Sequence, residues 1–387
     1  MKSCYINILE TSTVSLSAGA EDPSYPLYRL YDRDIGKLFK ANAAGTLDIK
    51  IDQGASPIAI DRLLIPAGHN LFSAGADLQL MRSTDDITWY TDALALGFET
   101  GVSGWAAGNG AAIEQSSLYP YSGSKSMKVT SDNSSAYAQA ASPGYNVIEG
   151  TVIKVRAWVY GVTSSKMSLQ VYDVTHGSFT LIAETTTLGA HVELAGNYTV
   201  PSGCTQIKIY LRPNLGYAAA SETYWDCVQF DSSDAWPLTS DGALITVLFA
   251  GVNARYWKFR VKTASVIPEL TELFLSLTYE WERIPGRPQG PFEDVFNAES
   301  QTTASGLERF LVHGNPKRQR VYKVANAGTT QKTNILALNA AWQGAKPFWL
   351  EDHEGNWIYG RLRKPIELKE EGYNRYSFEF DFVEVLG

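Results

Sequence analysis

The chain has 387 residues, of which 44% are hydrophobic and 19% charged, and its net charge is −8. At roughly 100–200 residues per domain this globular composition predicts two to four domains, each with its own core. The negative charge argues against nucleic acid and anionic membrane surfaces as partners, because both require a concentrated positive field. The sequence has no apolar run of about 18 residues and opens without a basic-then-apolar leader, so we expect cytoplasmic synthesis and no membrane insertion.

Aromatic residues and glycine are frequent, with 21 Tyr, 15 Phe, 10 Trp and 32 Gly. Such residues favour pleated, half-buried strands joined by tight turns. Tyr and Trp in excess of the needs of a core also suit ligand-binding surfaces, since each combines a flat apolar face with a polar tip. We therefore predict an all-β fold of β-sandwich and jelly-roll domains, followed by a small α+β C-terminal domain.

The first elements in the chain are short strands. LDIKID (47–52) and ADLQLMRS (76–83) alternate apolar and polar residues, and IDRLLIP (60–66) is a buried run between them. The segments SYPLYRLYDRD and AGHNLFSAGADLQLMRSTDDITW resemble the discoidin-like galactose-binding domain, a β-sandwich. That family closes with a strand similar to NARYWKFRV, which here stands far downstream, at 253–261. The resemblance implies a discontinuous domain, 1–94 plus 233–280, that carries an insertion.

The inserted segment has a beginning and an end of its own. GFETGVSGWAAGN (97–109), YSGSKSMKV (121–129) and TYWDCVQF (223–230) resemble, in this order, the family 4/9 type of carbohydrate-binding module. The resemblance implies a glycan-binding jelly roll over 95–232. It also places a structural Ca²⁺ near Glu99 and Asp226, since calcium prefers hard oxygen ligands. The alternative is that both residues are ordinary surface acids.

Three strands of the insert carry the pattern that bears most directly on function. VIKVRAWVY (152–160), MSLQVYDV (167–174) and TQIKIYLRPN (205–214) alternate, so that every second side chain faces away from the core. Pyranose rings lie flat on Trp or Tyr, while sugar hydroxyls need donors and acceptors from amides and cations. We predict one glycan-binding face across these strands; the alternative is a solvated surface with cross-strand packing. The residues predicted to bind carbohydrate are Lys154, Arg156, Trp158, Tyr160, Gln170, Tyr172, Lys208, Tyr210 and Arg212.

The cations on this predicted face suit acidic glycans, because they pair with carboxylate or phosphate groups. Aromatic residues in neighbouring loops are candidates for its walls, although packing explains each of them equally well. These loop residues are Trp105, Tyr119, Tyr121, Tyr137 and Tyr217.

The C-terminal domain is predicted to cover 281–387, and the Pro- and Gly-rich linker RIPGRPQGPFED lies at its start. It contains one predicted helix, 333–343, with Thr333 as its N-cap. In YNRYSFEFDFVEV, aromatic residues alternate with polar ones, which predicts a strand with one apolar face. FWLEDHEGNW and FEFDFVEV resemble the C-terminal regions of tail-tip and baseplate proteins of tailed bacteriophages.

No phosphate-binding loop, zinc-binding helix or nucleophile elbow is found in the sequence, so we expect no enzyme. The resemblances imply a virion structural protein of a phage tail tip or baseplate, whose glycan-binding modules contact the host envelope during adsorption. The implied partners are other phage tail proteins and host surface polysaccharide or lipopolysaccharide, within a homo-oligomeric ring of three or six copies. One alternative is a glycosidase or depolymerase with accessory binding modules. Another is an architectural tail protein with a non-binding jelly roll.

Overall fold

The computed structural model describes residues 1–121, 123–132, 134–135, 137–164, 166–215, 220–231, 240–281, 293–295, 298–302, 308–312, 317–342, 346–352 and 355–385. Strands hold 54% of the described residues and helices 6%, which confirms the predicted all-β class with a small α+β region. In the described part of the chain, no helix combines the length and the hydropathy of a membrane span.

The strands are short and follow one another through tight turns. The first strands are β1 (Lys2–Cys4), β2 (Thr13–Ala18), β3 (Phe39–Lys40), β4 (Thr46–Asp52), β5 (Ala59–Ile65), β6 (Asp77–Ser83) and β7 (Tyr90–Leu96), with 3₁₀ helices at Ile8–Glu10 and Leu27–Leu30. The middle strands are β8 (Ala106–Gly108), β9 (Ala111–Ser116), β10 (Ser126–Asp132), β11 (Gln139–Ala141), β12 (Tyr145–Asn146), β13 (Val152–Thr163), β14 (Met167–Asp173), β15 (Ser178–Thr185), β16 (His191–Thr199), β17 (Gln206–Arg212) and β18 (Ala220–Asp231).

The remaining elements include one α-helix in the described part of the chain. They are β19 (Ile245–Asn253), β20 (Tyr256–Lys262), β21 (Glu269–Leu270), β22 (Phe274–Ser276), β23 (Tyr279–Glu280), β24 (Glu293–Val295), β25 (Ala298–Thr302), β26 (Glu308–Val312), β27 (Lys317–Ala327), α1 (Thr329–Trp342), β28 (Phe348–Glu351), β29 (Trp357–Leu362), β30 (Glu367–Gly372) and β31 (Arg375–Glu384).

The chain forms two compact units. The larger consists of Ile8–Asp32 and Lys37–Leu275, and the smaller of Met1–Asn7, Arg33–Gly36 and Ser276–Gly387. Residues 1–7 belong to the smaller unit because β1 pairs with β23 and β28. The sequence-based boundary instead grouped them with the first sandwich.

Within the larger unit, one sandwich combines early strands with strands that come much later in the chain. β20 lies between β4 and β6 and pairs antiparallel with both, so that Phe259 is opposite Ile49 on one side and Leu80 on the other. A second layer is formed by β19, β5 and β22, and apolar side chains of both layers share one core. An interrupted sandwich requires this pairing across the insertion; the predicted domain boundaries themselves stay a prediction.

A second sandwich follows between β7 and β19. One of its sheets contains β16, β13, β18, β10 and β9, and the other contains β15, β14, β17, β11 and β8 with β12 at the side. Their inward side chains form a separate core that includes Val155, Val171, Ile209 and Trp225. β7 pairs with β6 at one edge and with β18 at the other, so a single ten-stranded sheet runs through both sandwiches.

The smaller unit is built on a sheet with α1 packed against it. The predicted alternation in β31 is confirmed, because Tyr376, Phe378, Phe380 and Phe382 are all buried. The predicted helix is present but starts earlier, at Thr329. The N-cap assignment of Thr333 is therefore wrong: this residue lies inside the helix, where its hydroxyl donates to the Thr329 carbonyl at 3.0 Å.

Candidate functional site

The nine residues predicted to bind carbohydrate do not share one face. β13 pairs with β16 and β18, whereas β14 and β17 pair with each other in the opposite sheet of the second sandwich. Their apolar side chains meet in the core between the sheets, so the outward side chains of β13 point away from those of β14 and β17. The predicted single face is a mistake, because alternation along a strand gives the side of a residue but not the sheet to which the strand belongs.

We call the outward residues of β13 the β13 face; they are Lys154, Arg156, Trp158 and Tyr160. All four are half-buried. The ring of Tyr121 stacks on Trp158 with centroids 3.8 Å apart and planes 8° apart, and Tyr119 stacks on Tyr160 at 4.0 Å and 8°. One side of each predicted platform ring is therefore covered by a tyrosine of the 119–121 loop.

Polar contacts fix this arrangement. The carboxylate of Asp226 accepts a hydrogen bond from the backbone N–H of Tyr121 at 2.8 Å. The His191 ring contacts Tyr121 and Tyr160 edge-on, and its Nε2 lies 3.1 Å from the Tyr119 carbonyl oxygen. On this face Arg156 forms an ion pair of 3.0 Å with Glu193 of β16. Most of the recognition groups expected here are already engaged within the chain.

We call the outward residues of β14, β15 and β17 the β14–β17 face. It is organised in cross-strand rows, because directly opposed residues point the same way. Ser168 is opposite Arg212 on one side and Glu184 on the other, and Gln170 is opposite Tyr210. The members of this face are Ser168, Gln170, Tyr172, Phe179, Leu181, Glu184, Lys208, Tyr210 and Arg212.

Aromatic rings on the β14–β17 face contact one another without covering one another. Phe179 meets Tyr210 edge-on at 5.0 Å, and Tyr172 lies 4.5 Å from Phe179 and 5.5 Å from Tyr210. Phe179 is 47% exposed, and nearby Tyr137, which lies outside the strands, is 55% exposed. This face thus has exposed ring surfaces, unlike the stacked rings Trp158 and Tyr160 of the β13 face.

A buried arginine lies beneath these exposed rings. The guanidinium of Arg212 is 4.6 Å from the centroid of Phe179 and 5.6 Å from that of Tyr137, and its Nη1 donates to the Tyr137 carbonyl at 3.4 Å. Arg212 is only 4% exposed, and burial lowers its pKa. Burial also raises the pKa of Tyr210. Gln170, Tyr210 and Arg212 therefore form the floor of this face, while Phe179 and Tyr137 form its rim.

Three buried polar atoms in this floor and directly beside it lack a hydrogen-bond partner among the described residues. They are Ser168 Oγ, Arg212 Nε and Gln139 Oε1. The first two residues are directly opposed, and β11 brings Gln139 beside β17 because Ala140 is opposite Leu211. Buried polar groups are normally satisfied by protein or by ordered water, so this row of three unpaired atoms is a place where a water or a ligand could bind.

The two residues predicted to bind calcium accept hydrogen bonds from N–H groups. Glu99 Oε1 accepts from the backbone N–H groups of Ser124 and Lys125 at 2.6 Å each, and its Oε2 accepts from the Ser124 hydroxyl at 2.8 Å. Calcium would need oxygen atoms at this turn, not N–H donors. Within the described residues, no group of three or more His, Cys, Asp or Glu side chains is placed to hold a metal. These contacts do not favour calcium, which stays a prediction.

Sequence reasoning missed part of the site. Phe179 lies on β15, a strand that was not among the three singled out, and Gln139 lies on a three-residue strand too short to show alternation. Among the loop aromatics, Trp105 packs edge-on against Phe98 at 5.6 Å, and Tyr217 lies outside the described residues.

Comparison with known families identifies one part of the chain. Residues 95–215 match the model of a family described as a carbohydrate binding domain, of the 4/9 type. The region that carries both faces is therefore a carbohydrate-binding module with a jelly-roll-like sandwich, a fold that supports glycan binding. No curated protein matches the chain.

Several solved structures are similar to part of the chain. The CBM22-1 xylan-binding domain from Paenibacillus barcinonensis Xyn10C is 20% identical, with 36% of this chain and 92% of that domain covered at a TM-score of 0.30. The CBM22-1 and GH10 modules of a Clostridium thermocellum endo-1,4-beta-D-xylanase are 16% identical, with 36% of this chain and 28% of that chain covered at a TM-score of 0.30. Tailspike protein 4 of bacteriophage CBA120 is 14% identical, with 35% of this chain and 20% of the tailspike chain covered at a TM-score of 0.26.

Proposed function

We propose that the protein binds polysaccharide on the β14–β17 face. The observation that carries this proposal is the row formed by Ser168, Arg212 and Gln139, whose unpaired polar atoms lie beside exposed aromatic rings. A sugar chain presents apolar C–H faces and hydroxyl groups along the same edge, so it matches this combination of groups.

The rim provides the apolar contact in this proposal. The Arg212 guanidinium lies over the rings of both Phe179 and Tyr137, 4.6 Å and 5.6 Å from their centroids. Both rings are about half exposed, so each keeps ring surface on which a pyranose could lie. Buried aromatic and arginine contacts of this type commonly dominate binding energy, and each is typically worth about 2 kcal/mol or more when truncated.

The floor provides the polar contact and the charge preference. Lys208 lies opposite Tyr172 in the sheet, and with Arg212 it places two cations on this face. The outward side chains of the face include one carboxylate, Glu184, and it is paired with Lys166 at 2.7 Å. Asp173 of β14 points to the core side, beside Ile207, and contacts His176. The net positive charge supports acidic polysaccharide or lipopolysaccharide as the ligand class.

Binding without catalysis is the simpler proposal for this face. Glycoside hydrolysis uses two carboxyl groups roughly 5–9.5 Å apart. Among the outward side chains of the described strands of the β14–β17 face, Glu184 is the lone carboxylate and is held in an ion pair. A glycosidase or depolymerase activity would have to come from another part of the protein.

The resemblance of the C-terminal segment supports a place for the protein in a virion. We propose a structural protein of a phage tail tip or baseplate, in which residues 95–232 form a jelly roll inserted into a discoidin-like sandwich, 1–94 plus 233–280. Its partners would be other tail proteins, in a ring of three or six copies, and the host surface polysaccharide. Repeated modules in such a ring would gain avidity of roughly 10²–10⁴ over single contacts.

The test is binding of the full chain to a panel of acidic and neutral bacterial polysaccharides and lipopolysaccharides by affinity electrophoresis. Phe179→Ala should weaken retention by at least about tenfold, since one exposed ring is lost from the rim. Tyr119→Ala is the matched control, because it removes a partly exposed ring from the β13 face. Equal retention of both variants, or no retention of the wild type by any member of the panel, would overturn the proposal and favour an architectural jelly roll.

A further inference from the structure

A cavity of about 160 Å³ lies within the larger unit, where the two sandwiches meet. It is distinct from both faces described above and shares no residue with them. Its floor is the outward side of β6, β7 and β20, and its roof comes from the segment after β7 and from the turn before β12. Neither sandwich would form this cavity alone.

The floor is made of two cross-strand rows. In one row Arg260 is opposite Gln79, which is opposite Leu94; in the next, Lys262 is opposite Asp77. The side chains between them, such as those of Leu78 and Val261, point into the core of the first sandwich. The polar floor is therefore fixed by sheet register, with little freedom for the backbone to move.

The roof is aromatic. Trp105 and Tyr145 line the cavity together with Phe98, against which Trp105 packs edge-on at 5.6 Å. Ser103 lies at the edge of the roof and is exposed. The cavity thus has apolar rings on one side and donors and acceptors on the other, which is the division of surface that a sugar ring needs.

The floor of the cavity contains two cations, Arg260 and Lys262, and one acid, Asp77. Arg260 donates to both carboxylate oxygens of Asp48 at 2.7 Å, so its charge is neutralised locally. Asp77 accepts hydrogen bonds from the Gly97 backbone N–H at 3.0 Å and from the Thr100 hydroxyl at 2.7 Å, which holds the carboxylate in place. Within the described residues, the ammonium of Lys262 makes no ion pair within 4 Å. It is the polar group most available to a ligand.

We propose that this cavity is a second carbohydrate site, which binds a single neutral sugar residue between Trp105 and the floor at Lys262 and Gln79. At about 30 Å³ per water in the liquid, the volume corresponds to roughly five waters, which is of the order of the bulk of one hexose. Arg260 is paired with Asp48 and Lys262 lies opposite Asp77 in the sheet, so each cation of the floor has an acidic residue near it and a neutral sugar fits better than an acidic one. The site is independent of the β14–β17 face, and either can exist without the other.

The experiment uses the full chain and a panel of soluble neutral monosaccharides: galactose, glucose, mannose, rhamnose and N-acetylglucosamine. Saturation-transfer NMR detects binding, and calorimetry measures its affinity. Ser103→Trp fills the mouth of the cavity and should abolish the signal, whereas Ser24→Trp, at an exposed serine outside the cavity, should preserve it. Lys262→Met should weaken binding by about tenfold, because it removes a charged hydrogen-bond donor while keeping a long side chain.

Two further measurements separate this site from the polysaccharide site. Phe179→Ala should leave monosaccharide binding unchanged while it weakens polysaccharide retention, and Ser103→Trp should leave retention unchanged. Thermal melting of each variant identifies loss of folding. The proposal is overturned if no sugar of the panel binds the wild type, or if the folded Ser103→Trp variant binds the sugar as the wild type does.

Discussion

The ring of Tyr121 lies on the indole of Trp158, with centroids 3.8 Å apart and planes 8° apart. The stack joins a loop to the middle of β13, and the Asp226 carboxylate holds the Tyr121 backbone N–H beside it at 2.8 Å. The most prominent sugar platform in the sequence is therefore a packing contact between two parts of one chain. Removal of this stack should lower the stability of the protein more than it weakens polysaccharide binding.

We predict that Tyr121→Ala lowers the free energy of unfolding by about 1–3 kcal/mol, from a lost aromatic pair and lost buried area. Polysaccharide retention should change by less than about twofold, because the stack lies on the sheet opposite the proposed site. Urea denaturation and affinity electrophoresis measure the two effects. Tyr373→Ala, at a ring that is 92% exposed, is the control and should change neither. A strong loss of retention with unchanged stability would instead make the β13 face the binding site.

Arg212→Lys should weaken polysaccharide binding although it keeps the charge. The planar guanidinium lies over the rings of Phe179 and Tyr137 and donates to the Tyr137 carbonyl, and an ammonium cannot reproduce these contacts. We expect a loss of about tenfold in affinity and about 1 kcal/mol in stability. Arg156→Lys, on the β13 face, is the matched control and should retain binding. If both variants bind as the wild type does, the stacked guanidinium takes no part in recognition.

Much of the fold could be predicted because apolar and polar side chains alternate strictly along its strands. The core side of β13 (Val155, Val159) and the aromatic side of β31 (Phe378, Phe380) follow from the period of two alone. The sequence also predicts the helix, but its predicted start is Thr333, because a threonine before an apolar stripe resembles an N-cap. In the structure the helix begins one turn earlier.

The candidate site was harder to predict because it depends on which strands become neighbours. Trp158 and Tyr210 show the same local pattern, yet they lie on opposite sheets of the sandwich. Register with β15, which brings Phe179 beside Tyr172, is a long-range property that no single strand encodes. The stacking of Tyr119 and Tyr121 on β13 depends in the same way on the path of a loop.

Metal removal gives a direct test of the calcium prediction. Because Glu99 is satisfied by two N–H groups and a hydroxyl, we expect EGTA to change the melting temperature by less than about 1 °C, corresponding to well under 1 kcal/mol. Glu99→Gln should destabilise the protein by about 1–3 kcal/mol with or without calcium, since charged acceptors are lost from the turn. A rise of several degrees on adding calcium, abolished in Glu99→Gln, would establish the metal site instead.

Gly360 on β29 is required by the close approach of β31. A Cβ there would lie 2.5 Å from the Val383 carbonyl oxygen and 2.6 Å from the Phe382 ring. Gly360→Ala should therefore destabilise the smaller unit by about 1–3 kcal/mol through overpacking. Hydrogen exchange of β29 and β31 should become faster while that of the larger unit is unchanged. Gly372→Ala, where a Cβ would meet nothing within 4 Å, is the matched control, and an equal effect of both variants would contradict this reason.

Stability should depend on pH through Asp92. This carboxyl is buried beside Arg82, with Nε and Oδ1 3.0 Å apart, and burial raises its pKa from 3.8 to about 7. A raised pKa means that the folded state favours the protonated form of Asp92. The contribution of this carboxyl to the free energy of unfolding is therefore complete below about pH 4 and is lost as pH rises through about 7. The wild type should therefore lose on the order of 2–4 kcal/mol of stability relative to Asp92→Asn between pH 5 and pH 8. Asp92→Asn keeps the shape of the side chain but cannot ionise, so it removes this part of the pH dependence while leaving that of other groups. Urea unfolding of both proteins at the two pH values measures the difference, and parallel pH dependence would show that Asp92 is already ionised in the folded state at pH 5.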